Sequence, residues 1–189
     1  SLPDALRISE TTTTVQASLS GVTSASVDVT VSAPVLLSIS VTPATTSLAK
    51  GRTQQLTATG TYSDGSTPDL TALVTWASDD ASVTVSNAAG SKGLAAAANV
   101  GSANVTAVLS SVPGVTGNAT VTVTAAVLAS ISVTPSPVAV SRGSSQQLTA
   151  TGTMTDATPV TLTSTATWTV ADPAIATVDA SGLLHGVAE

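Results

Sequence analysis

Cysteine is absent from the 189 residues, which removes every disulfide framework, thiolate metal site and thiol nucleophile. Phenylalanine is absent too, and the aromatic side chains are two tryptophans and one tyrosine. Any core must therefore be aliphatic, built around a Trp. Charge is scarce: Asp, Glu, Lys and Arg make up 8%, against about a quarter in ordinary chains. The five cations (Arg7, Lys50, Arg52, Lys92 and Arg142) are scattered and the net charge is −6, so the basic stripe that nucleic-acid binding needs cannot be assembled. No apolar run approaches the ~18 residues of a membrane span. The opening SLPDALRISE lacks the basic and apolar regions of a signal peptide and reads as a cut-out or processed chain.

What the chain has in abundance is hydroxyl. Ser and Thr supply about a third of the residues, well above average usage, with Val, Ala and Leu distributed between them. The same eight residues, QQLTATGT, stand at Gln54–Thr61 and again at Gln146–Thr153. The offset of 92 holds from LLSISVTP (Leu36–Pro43) against LASISVTP (Leu128–Pro135), through Gly51 and Gly143, Asp64 and Asp156, to Trp76 and Trp168. It extends upstream, where Val29–Ile39 matches Val121–Ile131. Downstream it falls to 89, with Gly93-Leu94 against Gly182-Leu183, so the first copy carries a longer loop around Asn87–Lys92. A gapless offset over some forty residues marks a duplicated unit, not shared composition. The expected organisation is residues 1–34 as the C-terminal strands of a preceding repeat, 35–126 as a complete repeat, and 127–189 as the N-terminal part of a following one.

The apolar pattern has period two. Leu37, Ile39 and Val41 are expected to face inward, as are Leu56, Ala58 and Tyr62, with Thr57, Thr59 and Thr61 outward. Val74 and Trp76, Val83 and Val85, Val105 and Ala107, and Ala119, Val121 and Val123 continue the series. These runs are short, rich in β-branched side chains that suit a half-buried pleated surface, and separated by turn sequences such as SDGS and VPGVTGN. Ala95–Ala98 is compatible with a short helix, but its match to the second copy's LLHGV favours a strand. About seven strands in about 90 residues, with one central Trp per copy, predict an all-β fold of tandem immunoglobulin-like β-sandwiches. Trp76 and Trp168 are expected to be buried equivalents. The connections APV (Ala33–Val35) and AAV (Ala125–Val127) hold none of the Gly/Ser of a flexible tether, so stiff end-to-end rods are expected.

The combination LxSIxVTP, a Gly, QQLTATGTYSDGST and VTW resembles the group 2 bacterial immunoglobulin-like domain, which forms tandem repeats in intimin- and invasin-like surface proteins. The second copy departs from that pattern with DATP (Asp156–Pro159) in place of DGS, and the first with its long NAAGSKG loop and LAAAA. The resemblance implies an extracellular or cell-surface, secreted setting and supplies no catalytic residue.

Candidate sites are few. His185 is the single histidine, at a position where the first copy has Ala, and reads as an ordinary strand residue. Asp64, Asp69, Asp79 and Asp80 could suggest calcium, which wants six to eight oxygens. Only Asp64 and Asp80 recur, as Asp156 and Asp172, which favours turn and cap residues. Asn104 and Asn118 fit the N-glycosylation sequon but fall on expected strands. No catalytic, cofactor-binding or metal site is therefore expected, and no cofactor. The function expected is a structural Ig-like repeat segment of a secreted bacterial surface protein, a rod-like stalk or fibre-building unit. Its partners would be other copies of itself, head to tail, in a homo-oligomer or filament. The alternative is an adhesin or phage-type binding module contacting a glycan or cell-surface receptor through its loops, with Asn87–Lys92 and DATP as contact loops. No nucleic-acid partner is expected.

Overall fold

The computed structural model describes residues 11–188; residues 1–10 of the expected first segment lie outside the described residues. The described residues open with a hairpin. β1 (Thr11–Val15) pairs antiparallel with β4 (Val27–Val31), and β2 (Ser18–Leu19) with β3 (Val22–Thr23). Its tip, Ser20-Gly21, has φ of 53° and 84° at the two central positions, the conformation that a two-residue hairpin turn requires.

A closed sandwich follows, built from β5 (Leu36–Thr42), β6 (Thr45–Ala49), β7 (Thr53–Gln55), β8 (Thr57–Tyr62), β9 (Thr75–Ser78), β10 (Val83–Val85), β11 (Leu94–Ala97), β12 (Gly101–Val108) and β13 (Thr116–Thr124). One sheet has the order β6-β13-β12-β9, with β6 parallel to β13. The other consists of β10-β11-β7 and β5-β8. β7 and β8 are one strand interrupted at Leu56, whose N–H turns aside to the Gly93 carbonyl at 2.9 Å. β5 pairs with β8 in one sheet, and after Pro43, which has no N–H to extend a ladder, the chain crosses to the other sheet as β6. The 3.4 Å per residue of a strand makes β13 span about 30 Å, which sets the long axis of the unit.

The core follows the period-two reading, with one correction. Leu56, Ala58, Val74, Val83, Val105, Ala107, Ala119, Val121 and Val123 are buried, joined by Leu70 and by Ala95 and Ala97 of β11. The alanine run is thus a strand, laddered between β7 and β10. Leu37, however, points out and Leu36 points in. The register between β5 and β8 shifts between Leu36 and Ser38. That extra residue reverses the alternation on its N-terminal side. Trp76 is buried, its indole N–H donating to the Thr71 carbonyl at 3.1 Å. The Asn87 side chain accepts from the Trp76 N–H and donates to its C=O, both at 2.8 Å.

The last segment holds β14 (Leu128–Thr134), β15 (Ser145–Gln147), β16 (Thr149–Met154), β17 (Pro159–Thr161), β18 (Ala176–Val178) and β19 (Leu183–Gly186). β14-β16-β17 and β15-β19-β18 reproduce the β5/β8 and β7/β11/β10 layer, including the register shift between Leu128 and Ser130. Nothing among the described residues reproduces the β6-β13-β12-β9 sheet over it. Trp168 keeps the indole hydrogen bond of its counterpart, to the Thr163 carbonyl at 3.0 Å, but is only half-buried. The expectation of equal burial for the two tryptophans fails for this reason: among the described residues the sheet that covers Trp76 has no equivalent over Trp168.

Candidate functional site

The residues singled out from sequence have local structural jobs. His185 lies on β19, its Nδ1 2.7 Å from Ser145 Oγ across the strand pair. Asp64 accepts from the Ser66 N–H and hydroxyl at 2.9 and 2.6 Å, and Asp80 from the Ser82 N–H at 2.7 Å. Asp69 caps Thr71, Asp172 caps Ala174, and Asp79 accepts from the Asn104 N–H. The contacts of Asp64, Asp69, Asp80 and Asp172 are two-residue side-chain turns, whereas that of Asp79 reaches across to a residue 25 positions away. The donors hold the carboxyls of Asp64 and Asp80 below the ordinary range, the Ser66 hydroxyl leading at Asp64 and the Ser82 N–H at Asp80. Asp64 sits at the end of the sandwich where β5 begins; Asp79 and Asp80 lie toward the opposite end, where β12 begins. Among the described residues no group of three or more His, Asp or Glu could hold a metal ion. Asn104 and Asn118 are on β12 and β13.

The Asn87–Lys92 loop is tied down from within. Asn87 grips the Trp76 backbone, Ser86 and Ser91 share a 2.8 Å hydroxyl contact, and Lys92 Nζ donates to the Val74 carbonyl at 3.1 Å.

Sequence reasoning missed the joint between the repeats. The Lys50-Gly51 turn, at the tail of the closed sandwich, meets the Thr155-Asp156 turn at the head of the next unit. The Thr155 hydroxyl donates to the Lys50 carbonyl at 2.6 Å and accepts from the Val127 N–H at 3.2 Å, so one side chain fixes the incoming chain and the neighbouring repeat together. Lys50 Nζ lies 3.3 Å from Asp156 Oδ2 in the one ion pair among the described residues. The Thr158 hydroxyl, then its N–H, then Lys50 hold the Asp156 carboxyl below its usual range. Gly51 has φ of 86°, and a Cβ placed there would lie 2.2 Å from the Thr155 carbonyl oxygen. Only glycine satisfies both the backbone angle and the approach.

Each repeat carries both halves of this joint. At the head, Ser63 repeats Thr155: its N–H donates to the Val35 carbonyl and its hydroxyl accepts from the Val35 N–H, each at 2.9 Å. At the tail, the Gly143 N–H donates to the Gly186 carbonyl as the Gly51 N–H does to Ala97, each at 2.9 Å. The signal that could have revealed the joint was present in the sequence. In a chain with five cations, Lys50-Gly51 and Arg142-Gly143 fall 92 apart, as do Asp64 and Asp156. Beside the Ser63-Asp64 head lies a groove of about 820 Å³, walled by Pro34, Leu36, Tyr62, Pro68, Leu109 and Val112.

Comparisons with known proteins found a curated relative, several solved structures and a family. A 155-residue stretch is 43% identical to Ice-binding protein 1 of Shewanella frigidimarina, covering 81% of this chain but 17% of that protein. Among solved structures, surface layer protein SbsC domains 4-9 is similar at 22% identity and TM-score 0.44, over 94% of this chain and 30% of that one. SbsC domains 4 and 5 is similar at 27% identity and TM-score 0.40, over 53% and 59%. The chain thus spans less than a fifth of its curated relative's length. Residues 36–119 and 127–189 match the family described as bacterial Ig-like domain (group 2), and with the duplicated strands, the central tryptophans and the paired turns in place, the chain belongs to that family.

Proposed function

We propose that this chain is a non-catalytic structural segment of a longer, secreted or cell-surface protein, in which Ig-like repeats stack end to end as a stalk or fibre. The observation that carries the reading is the Lys50-Gly51 to Thr155-Asp156 joint. A flexible tether lets neighbouring units explore many orientations; here three residues separate β13 from β14, and a buried-edge hydroxyl, an ion pair and a side-chain-free glycine fix the approach. An ion pair with a half-exposed lysine contributes little stability by itself, and its value lies in selecting one orientation. The match to a small part of a much longer relative supports a spacer role. The loop-mediated adhesin reading is weakened by the internal hydrogen bonding of Asn87–Lys92, which leaves that loop's polar groups engaged with its own sandwich.

Small-angle scattering from the dilute chain tests the proposal. An elongated profile is expected, with a broader distance distribution when Thr155→Val and Asp156→Asn are combined. A compact or coil-like profile from the unaltered chain would count against it.

A further inference from the structure

The free edge of β9 is covered by a loop that the second copy does not share. Eight residues, 86–93, stand between β10 and β11, whereas the corresponding turn between β18 and β19 has four, 179–182. The short turn closes on itself, with Asp179 accepting from the Ser181 and Leu183 N–H groups. The long loop leaves the β10-β11-β7 sheet and lies along β9 of the other sheet.

β9 has a strand neighbour on one side only, β12. The Asp79 N–H donates to the Asn104 carbonyl of β12 at 3.2 Å. Alternation along an antiparallel ladder then turns the backbone groups of Val74, Trp76 and Ser78 outward. Such a row is a template for pairing with another strand. The loop takes three of these groups in succession. Lys92 Nζ donates to the Val74 carbonyl at 3.1 Å, and the Asn87 side chain accepts from the Trp76 N–H and donates to its carbonyl, both at 2.8 Å. A carboxamide holds an acceptor and donors side by side, so Asn87 stands where one residue of an added strand would stand. The far side of β8 is treated alike: the Gly60 and Tyr62 N–H groups donate to the Pro68 and Ser66 carbonyls at 3.0 and 2.9 Å.

Uncovered, the β9 edge would be complementary to itself. In two copies set antiparallel about Trp76, the Trp76 N–H of each would meet the Trp76 carbonyl of the other. The Ser78 N–H of each would meet the Val74 carbonyl of the other. A contact of this symmetry closes as a dimer. We propose that the Asn87–Lys92 loop is an edge guard, occupying the strand-addition site of β9 and keeping a second copy of this chain from pairing there. The guard acts on the side of the sandwich and stands apart from the stalk reading, which concerns its ends.

Amide hydrogen exchange of the full chain, dilute and concentrated, tests this. In the unaltered chain the Trp76 amide is expected to be protected, and neither Trp76 nor Ser78 to respond to concentration. Asn87→Ala combined with Lys92→Ala opens the edge. Trp76 protection is then expected to fall about 10-fold in dilute solution, and protection at Trp76 and Ser78 to rise together with concentration. Adding Ser78→Pro, which removes an outward N–H at a strand edge, is expected to abolish that rise. A second variant replaces residues 86–93 by the Asp-Ala-Ser-Gly turn of the second copy and is expected to behave like the first. The Val105 and Val121 amides, between β12 and β13, report whether the sandwich stays closed. Protection at Ser78 that grows with concentration in the unaltered chain overturns the proposal, because the edge would then be open with the loop in place. Opened variants with Val105 and Val121 still protected but no rise at Trp76 and Ser78 overturn it, as does a rise that survives Ser78→Pro. Loss of Val105 and Val121 protection in both opened variants overturns it too, since the loop would then be a fastening of the fold and not a guard.

Discussion

Replacing Gly51 by alanine separates the joint from the fold. At φ of 86° a side chain costs about 1–2 kcal/mol. Gly143, the same turn in the second copy, has φ of 75° and nothing within 4 Å of an added Cβ, so Gly143→Ala pays the backbone cost alone. At Gly51 the added Cβ lies 2.2 Å from the Thr155 carbonyl oxygen and 2.5 Å from the Asp156 Cα, and real Cβ contacts essentially never fall below 3.0 Å. The Thr155-Asp156 turn must therefore retreat by 3.0 − 2.2 = 0.8 Å at the least. Both colliding groups are backbone, so no rotamer change relieves the overlap. A retreat of that size along the 2.6 Å contact between the Thr155 hydroxyl and the Lys50 carbonyl takes it beyond the range of O–H···O bonds, losing about 0.5–1.5 kcal/mol. Thermal unfolding should register the backbone cost for both variants, about 4–8 °C per kcal/mol for a unit of this size. Nitrogen-15 relaxation of the dilute chain should differ between them. The unaltered chain and Gly143→Ala are expected to tumble as one elongated body, and Gly51→Ala as two loosely coupled ones. If Gly51→Ala leaves the relaxation and scattering unchanged, close approach at Gly51 does not set the joint.

Trp76→Ala should destabilise the closed sandwich by about 3–5 kcal/mol, and Trp168→Ala should cost less because that indole is half-exposed; denaturant titration of each variant measures both. Gly117→Ala should cost about 1–3 kcal/mol by overpacking, since the new methyl meets Ile39 Cγ2 at 2.7 Å and Val41 Cγ2 at 3.0 Å, and the same titration reads it. The depressed carboxyls of Asp64 and Asp156, held chiefly by the Ser66 and Thr158 hydroxyls, give a pH dependence of known sign. A lowered folded-state pKa contributes stability that is fully present above the unfolded value, near 3.8, and is lost as pH falls through the folded value. Turn amide protection at Ser66 and Thr158 should therefore hold down to about pH 4 and decline below it, with little change between pH 5 and 8; loss of protection near neutrality would refute the assignment.

Much of the fold was legible because a repeat reports on itself. Positions 92 apart share turn glycines, turn aspartates and a tryptophan, and period-two patterning identifies the buried face of each strand without knowing its partner. Local signals failed where the answer depended on a neighbouring strand. Alternation assigns Leu37 to the core, but the register shift against β8 gives that place to Leu36. The alanine-rich run had too little side chain to declare its period; its match to the second copy favoured a strand, and its ladders to β7 and β10 bear that out.

By itself, then, the sequence determined an all-β chain of tandem units, the strands of each, and the residue types that cannot support cysteine chemistry or nucleic-acid binding. Those are matters of composition and of contacts within a few residues. The tertiary structure alone decided which turns meet and which faces stay open. Lys50 and Thr155 lie 105 residues apart, and each looks like an ordinary turn residue until folding brings the tail of one sandwich against the head of the next. Val29 and Ile131 likewise look like core residues in any strand. Only the sheet order shows that no second layer covers either one among the described residues, because burial belongs to the pair of surfaces and not to the residue.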